Sequence, residues 1–268
     1  MRALSTPNSL IALALIVLLF GVSVRADVTC DGVDDRATTG VSTLTFASAS
    51  TMTLTVWYKP TGTPTDPGIN ECWRGDLLLT SYSNTDGFPP IGLNRHPNFA
   101  GGDKLCAQNL DAGTPTHVGS TYSVNTWTHL ALVHASGTLT FYKDGVSIGS
   151  TASGDTSGSS GPTIQLCVGQ PAVWNSGQGI FAEAEVFNVA LTAWEIGAKA
   201  KAGMKNVGIT KPTGSWNYDQ CANGANCNGV SFLDRSGFAR PMTGDDGANN
   251  TGMSGAASSR LSYAWGAY

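Results

Sequence analysis

The stretch WTHLALVHASGTLTFYKDGVSIG, residues Trp127–Gly149, constrains the fold more than any other part of this sequence. Within TLTFYK, Leu139 and Phe141 point to one face and the residues between them to the other, and the alternation resumes in VSI. Between the two runs stands Asp144-Gly145, which suits a two-residue type I′ turn because both positions need a positive φ. The stretch therefore predicts a β-hairpin, and Asp144 is expected to serve its turn.

Similar strand-like runs recur along the chain between residues that favour turns. They are MTLTVWY at 52–58, DLLLTSY at 76–82, KLCAQNL at 104–110, TIQLCVG at 163–169 and GIFAEAEVF at 179–187. Many short strands with frequent turns are typical of an all-β sandwich or barrel. The hydrophobic share of 41% is enough for a buried core.

One stretch, LTAWEIGAKAKAG, predicts a helix instead. Thr192 can cap the helix N-terminus, and Glu195, three residues later, completes a capping box. Lys199 lies towards the C-terminus, where the helix dipole favours positive charge, and Gly203 can end the helix. We therefore expect one short helix over residues 192–202 that caps the sandwich.

The first 26 residues have the features of a secretory signal peptide. Arg2 supplies a positive charge, Leu10–Val24 is apolar, and Val24 and Ala26 precede a predicted cleavage site before Asp27. The apolar run is shorter than the roughly 20 residues that span a bilayer, which disfavours an uncleaved anchor. We expect a secreted protein, extracellular or at the cell surface, with no membrane segment after cleavage.

Charge argues against two classes of partner. The formal net charge is −4, and 13% of residues are charged, against about 25% in typical proteins. No run of Lys or Arg is present. The sequence therefore shows neither the basic patch that nucleic acid requires nor one that would hold an anionic membrane.

All six cysteines follow the predicted cleavage site: Cys30, Cys72, Cys106, Cys167, Cys221 and Cys227. An even number in an exported chain predicts disulfides, although six cysteines allow many pairings. Cys221 and Cys227 are close enough to staple a small loop, and a Cys72–Cys106 bond would clip a long one. That leaves Cys30 with Cys167. A zinc site is disfavoured because no CxxC occurs.

The composition changes after Lys205, where the chain becomes rich in Gly, Asn and Ser. The remaining aromatic residues are expected to tie this extension to the domain, since too few apolar residues remain for a second core. They are Trp216, Tyr218, Phe232 and Phe238. The predicted organisation is a signal peptide at 1–26, a domain at 27–205 and an extension at 206–268 packed on the same domain.

Four blocks resemble, in order, the laminin-G-like, concanavalin A-like jelly-roll domains of secreted proteins. They are CDGVDDRATTG at 30–40, TMTLTVWYKP at 51–60, WTHLALVHASGTLTFYKDGVSIGS at 127–150 and VGQPAVWNSGQGIFAEAEVFNVALTAWEI at 168–196. The segment SWNYDQ…FLDRSGFARP also resembles an Asp-x-Ser-Gly segment found beside such domains. The resemblance implies a two-sheet antiparallel jelly-roll sandwich. It leaves function open, because this fold hosts lectins, glycosidases and adhesive or structural modules.

The sequence departs from two patterns of these folds. Ala182-Glu183 stands where the family commonly has Asp-Glu, so an aspartate that helps to hold calcium or a loop in some members is missing. A glycosidase would need paired carboxylates, and on concanavalin-like folds these commonly form Glu-x-Asp-x-x-Glu. In EAEVFN, Glu183 and Glu185 are predicted to share a face, but Phe187 and Asn188 follow. We therefore predict a non-catalytic protein, with catalysis by these two glutamates as the weaker alternative.

Loop residues are the candidates for binding. Trp73 and Trp174 are on predicted loops, and Asn175 follows the second. Aromatic faces stack on sugar rings, and amides read their hydroxyl groups. Asp31, Asp34 and Asp35 are candidate oxygen ligands for calcium, the one cofactor that the sequence suggests. His129 and His134 are expected to be scaffold residues.

These features favour a secreted, non-catalytic module that recognises extracellular or cell-surface glycan, or another matrix component. Two alternatives remain: an adhesive or structural protein that assembles with copies of itself, and a diverged glycoside hydrolase.

Overall fold

The computed structural model describes residues 26–33, 35–39, 51–62, 72, 76–82, 91–96, 102, 104–109, 116–152, 163–167, 177–202, 210–222, 224–245 and 253–257. Its strands are β1 (Ala26–Cys30), β2 (Arg36–Thr39), β3 (Thr51–Pro60), β4 (Asp76–Tyr82), β5 (Ile91–His96), β6 (Lys104–Asn109), β7 (Thr116–Ser120), β8 (Thr128–Ala135), β9 (Thr138–Lys143), β10 (Val146–Ala152), β11 (Thr163–Leu166), β12 (Gly179–Phe187), β13 (Gly214–Trp216), β14 (Ser231–Phe232), β15 (Met242–Asp245) and β16 (Ser254–Ala257). Among the described residues there is one helix, α1 (Ala193–Ala202).

The described strands form two antiparallel sheets with one core between them. The first sheet has the order β10-β9-β8-β3-β12-β1-β16, with β13 also paired to β12. The second has the order β14-β15-β2-β11-β4-β5-β6-β7. Both contribute to a single buried cluster, for example Leu54 and Phe141 from the first and Leu93 and Ile164 from the second. The protein is therefore the two-sheet jelly-roll sandwich that the sequence predicted.

The hairpin of β9 and β10 forms as expected at its turn. Asp144 and Gly145 have φ angles of 52° and 82°, and the Asp144 side chain accepts a hydrogen bond of 2.9 Å from the His129 backbone N–H. The return strand β10 also forms, but its alternating apolar residues lie at the surface. Val146 and Ile148 are exposed, because β10 is an edge strand with a register shift after Ser147.

Helix α1 caps the outer face of the first sheet. The capping box is formed: the Thr192 N–H donates to Glu195 Oε2 at 2.8 Å, and the Glu195 N–H donates to Thr192 Oγ1 at 3.3 Å. Ile196 and Leu191 pack with Phe187 and Val133 in a second, smaller buried cluster. No helix among the described residues is both long and apolar enough to cross a bilayer.

The C-terminal extension supplies strands to both sheets. In the first sheet, β13 pairs with β12 and β16 pairs with β1. In the second, β15 pairs with β2 and with β14. Trp216, Tyr218 and Phe232 are fully buried, whereas Phe238 is exposed. Three disulfides link the cysteine pairs that the sequence favoured: Cys30–Cys167, Cys72–Cys106 and Cys221–Cys227.

Candidate functional site at the loop end of the sandwich

The loop end is the end of the sandwich at which β3 finishes and β8 and β12 begin. The predicted site residues outside the described part of the chain are Trp73, Trp174, Asn175 and Asp34. The described residues next to these loops are Thr61-Gly62, where the stretch that leads to Trp73 begins, and Gln178, which follows the loop of Trp174. Cys72 directly precedes Trp73 and is disulfide-bonded to Cys106 of β6. The structure therefore shows where these loops are rooted.

One side chain, Arg95 of β5, joins the two roots. Its Nη2 donates to the Gly62 carbonyl at 2.6 Å, and its Nη1 donates to the carbonyls of Thr61 at 3.1 Å and Gln178 at 3.4 Å. Its Nε donates to the Tyr122 hydroxyl. A planar guanidinium presents several N–H donors in fixed directions, so one group can hold several acceptors at once. Arg95 thereby fixes the start of one candidate binding loop against the end of the other.

Tyr58 strengthens the same junction from the first sheet. Its hydroxyl donates to the Gln178 carbonyl at 2.5 Å and lies 3.4 Å from Arg95 Nη1. Its ring packs against Phe181 at a centroid distance of 4.8 Å. Both sheets therefore hold Gln178.

The charge of Arg95 is maintained although the residue is fully buried. Burial acts to lower the pKa of Arg95, but the hydroxyls of Tyr58 and Tyr122 outweigh it, and the pKa is raised above its usual value. Carbonyl and hydroxyl oxygens thus solvate the cation in place of water. A buried charge that is compensated in this way holds its neighbours tightly, since losing them would leave it unsolvated.

The Asp31–Asp35 turn packs against the same junction. At Gly32, φ is 87°, and a Cβ would lie 2.7 Å from the Gln178 Cβ, so this position requires glycine. Asp31 Oδ1 accepts from the Val33 N–H at 2.8 Å, and Asp35 Oδ2 accepts from the Asp31 N–H at 2.5 Å. Within the described residues, no group of three His, Cys, Asp or Glu side chains could hold a metal ion. Since Asp34 lies outside them, calcium at this turn remains a prediction.

The family model described as the concanavalin A-like lectin/glucanases superfamily matches residues 31–197, more than half of the chain. The chain belongs to that superfamily. The match includes the Asp31–Asp35 turn, Arg95 and both candidate loops, and it ends within α1. The C-terminal extension therefore lies beyond it. No curated protein sequence matches the chain.

Solved structures share the fold of this superfamily member at low identity. A putative carbohydrate binding protein from Bacteroides ovatus ATCC 8483 is 12% identical, with a TM-score of 0.59 over 87% of this chain and 60% of the other. A native heptameric SAP-like pentraxin from Limulus polyphemus is 15% identical, with a TM-score of 0.51 over 67% of this chain and 83% of the other. At such identities the likeness concerns the fold alone.

The two candidate catalytic glutamates of this concanavalin A-like domain lie in a bulged part of β12. Ala182 pairs with Trp57 and Glu185 with Thr55, so β12 has one extra residue between them. Glu183 has a φ of 49°. The bulge interrupts the simple alternation on which a shared face was predicted. Catalysis by Glu183 and Glu185 therefore stays an untested prediction.

Glu185 contacts the capping helix. Its carboxylate lies 2.8 Å from the Lys199 amine, and both side chains are almost fully buried. Lys199 was expected to serve the helix dipole, but it points to the sheet, 5.5 Å from the centroid of the Phe187 ring. Burial raises the pKa of Glu185, and Lys199 partly offsets this. The arrangement secures α1 to β12.

The histidines of the central strands also belong to the scaffold. His129 is buried, and its ring packs edge-on against Trp57 at 5.3 Å. His134 is buried on the same strand. Arg95, in contrast, was missed by the sequence analysis. Its acceptors are mostly backbone carbonyls, which any residue type supplies, so no sequence motif marks it.

Proposed function

We propose that this protein is an exported, non-catalytic binding module that recognises extracellular or cell-surface glycan through the loops at the loop end. The observation that carries the proposal is the contact of one guanidinium, that of Arg95, with the roots of both loops that bear Trp73 and Trp174. Loops on a rigid scaffold are a common place for ligand contacts.

The physical argument is one of preorganisation. A loop that must become ordered on binding loses conformational entropy, which weakens affinity. Anchoring both loops on one buried cation reduces that loss. Loop tryptophans could then offer ring faces to a sugar, with Asn175 as a donor and acceptor for hydroxyl groups. The superfamily includes lectins by its description, and one structural neighbour carries the name of a putative carbohydrate binding protein.

A glycan array tests this proposal directly. Trp73→Ala and Trp174→Ala should each weaken binding with little change in melting temperature. The matched control is Trp194→Ala. Trp194 is 66% exposed and is the second residue of α1. The segment before this helix is held near the start of β3, away from the loop end, because the Leu191 N–H donates to Thr53 Oγ1. Unchanged binding in both loop variants, or equal loss in the control, would refute the loop-end site.

Self-assembly is the second candidate, and β10 is the observation that favours it. This strand ends the first sheet, carries no charged residue and exposes Val146 and Ile148. β7 of the second sheet lies beside β10 without pairing with it, so the surface offered to another molecule is the exposed apolar pair. A lysine on such an edge strand opposes association. Analytical ultracentrifugation of wild type and Val146→Lys separates the two functions. Self-assembly is favoured if wild type forms oligomers that dissociate in the variant and if the glycan array shows no binding.

A further inference from the structure

A second surface with the properties of a binding site lies in the C-terminal extension. We call it the Phe238 platform and define it by Asn217, Asp219, Arg235, Phe238 and Arg240. It is made by the loop from Asp234 to Arg240 and the strand end beside it, and it lies outside the residues that the family model matches.

One carboxylate holds the platform loop closed. Asp234 Oδ1 accepts from the N–H groups of Ser236 at 2.8 Å and Ser215 at 3.0 Å, and Oδ2 accepts from the Arg240 N–H at 3.1 Å. Both ends of the loop are thereby fixed to the same side chain. Residues between them are presented by a preformed backbone, which lowers the entropy cost of binding.

The loop holds an aromatic ring in solvent. Phe238 is 55% exposed, and the Arg240 guanidinium carbon lies 4.8 Å from the centroid of its ring. Arg240 Nη1 is itself fixed to the Thr213 carbonyl at 2.8 Å. The guanidinium therefore supports the ring from one side while more than half of the residue remains accessible.

The same loop and the strand end beside it carry polar groups of both hydrogen-bonding types. Arg235 Nε donates to Asn217 Oδ1 at 2.7 Å, and its Nη2 lies 3.1 Å from Asp219 Oδ2. Half of the Arg235 side chain and about a third of Asp219 are exposed. This network presents N–H donors and carboxylate acceptors next to each other, and each group is oriented by the others.

We propose that the Phe238 platform is a second binding surface for uncharged glycan. An exposed ring suits the C–H face of a pyranose, and adjacent donors and acceptors suit hydroxyl groups, which both donate and accept. The charges of the platform residues Arg235, Arg240 and Asp219 cancel with that of Asp234, which closes the loop beneath them, so this region offers no net attraction to sulfated or carboxylated sugars.

The platform is distinct from the loop end. The Thr213 N–H donates to the Val186 carbonyl near the end of β12, whereas Gln178 precedes its first residue. Trp216, the neighbour of Asn217, pairs with Ala184, so at about 3.3 Å per residue the platform lies roughly 15–25 Å along β12 from Gln178. The proposal therefore goes beyond the loop-end function and can fail independently of it.

The test uses an array of neutral hexasaccharides of glucose, mannose, galactose and N-acetylglucosamine, together with heparin fragments. We expect binding to at least one neutral hexasaccharide and none to heparin. Phe238→Ala and Arg235→Gln should each weaken that binding about tenfold or more, while Phe238→Tyr, which keeps the ring, should retain it. Trp194→Ala, at another exposed aromatic residue, is the control.

Three results would overturn the platform: an empty array, binding to heparin alone, or unchanged affinity in Phe238→Ala. A change of oligomeric state in Phe238→Ala without a change in glycan binding would instead assign this surface to a protein partner. Weakened binding in Trp174→Ala but not in Phe238→Ala refutes the platform and leaves the loop-end proposal standing. Weakened binding in Phe238→Ala but not in Trp174→Ala refutes the loop-end site and leaves the platform standing.

Discussion

Lys199 of the capping helix and Glu185 of β12 form an ion pair of 2.8 Å beneath the helix, with 1% and 4% of their side chains exposed. Ser215 adds a weaker contact of 3.5 Å to the same carboxylate. A pair this deeply buried holds its partners strongly, because breaking it leaves a charge without either water or a counter-ion. The position of α1 thus depends on one electrostatic contact as well as on apolar packing.

Replacing Lys199 by Met should lower the free energy of unfolding by about 3–5 kcal/mol, since Glu185 would remain buried without its counter-ion. The double variant Lys199→Met/Glu185→Leu should recover most of the loss. Arg235→Ala provides the contrast, because its pair with Asp219 is half exposed and should contribute less than about 1 kcal/mol. Urea unfolding followed by circular dichroism measures all three variants. A small effect in Lys199→Met would show that the pair does not secure the helix.

The destabilisation in Lys199→Met should depend on pH. Burial raises the pKa of Glu185 above its ordinary 4.5, and Lys199 lowers it in part. Because the pKa of Glu185 is higher in the folded protein, its protonated form adds to the free energy of unfolding. This contribution is fully present below about pH 4.5 and is lost as the pH rises through the folded-state pKa. Without Lys199 the folded-state pKa of Glu185 rises further, so more of the free energy of unfolding is lost when Glu185 ionises. The difference in unfolding free energy between wild type and variant should therefore be greater at pH 7 than at pH 4. A difference that does not vary with pH would argue against a charged Glu185 in the folded protein.

Tyr218→Phe should stabilise the protein by about 1 kcal/mol, because an unsatisfied buried hydroxyl costs about 1–3 kcal/mol. The ring is fully buried against Phe232 at a centroid distance of 5.0 Å, and the hydroxyl has no hydrogen-bond partner among the described residues. Burial also raises the pKa of Tyr218. Tyr58→Phe is the matched control and should destabilise, because its hydroxyl donates to the Gln178 carbonyl. Thermal unfolding of both variants gives opposite shifts of melting temperature if the assignment is correct.

Arg95→Lys should weaken glycan binding at the loop end as well as stability. An ammonium keeps the charge but cannot reach the carbonyls of Gly62 and Gln178 and the Tyr122 hydroxyl together. We expect a loss of about 2–3 kcal/mol in unfolding free energy. Leu132→Ala in the core should cause a comparable loss of about 2–5 kcal/mol and leave binding unchanged. Titration of each variant with a glycan that wild type binds, at a temperature where both variants are folded, checks this. Equal binding by the two would mean that Arg95 serves the fold alone.

Export with cleavage before Asp27 predicts a secreted form whose first residue is Asp27. N-terminal sequencing of protein recovered from the culture medium checks it. Ala26→Arg places a large charged residue at the cleavage site and should leave the protein uncleaved, whereas Val24→Ala keeps a small residue there and should be cleaved normally. A medium free of the wild-type protein, with the intact chain in the cells, would contradict export.

Local sequence signals predicted much of the fold. The turn at Asp144-Gly145 and the capping box of Thr192 and Glu195 depend on neighbours a few residues away, so residue type and spacing suffice. The alternation of apolar residues was a poor guide where burial depends on contacts with residues that are distant in sequence. Ile148 alternates like a core residue, yet it is exposed because no sheet continues beyond β10 among the described residues.

The candidate site was less accessible to sequence reasoning. Trp73 and Trp174 were chosen by residue type, and they remain predictions. Arg95 joins the roots of their loops, but it meets them through backbone carbonyls that are distant in sequence. Likewise, the bulge at Glu183 follows from pairing between β12 and β3 and has no signature in EAEVFN.

The pairing of β1 sets the order in which the chain can complete its fold. This first strand lies between β12 and β16, and Asp27 is opposite Ala256. Because the chain is synthesised from the N-terminus, both edges of β1 are paired only after β16, near the C-terminal end, has been made. Contacts between such distant parts of a chain close slowly. A chain stopped at residue 205 would lack β13 to β16, so the jelly-roll region alone would be an unfinished sandwich with an open edge at β1.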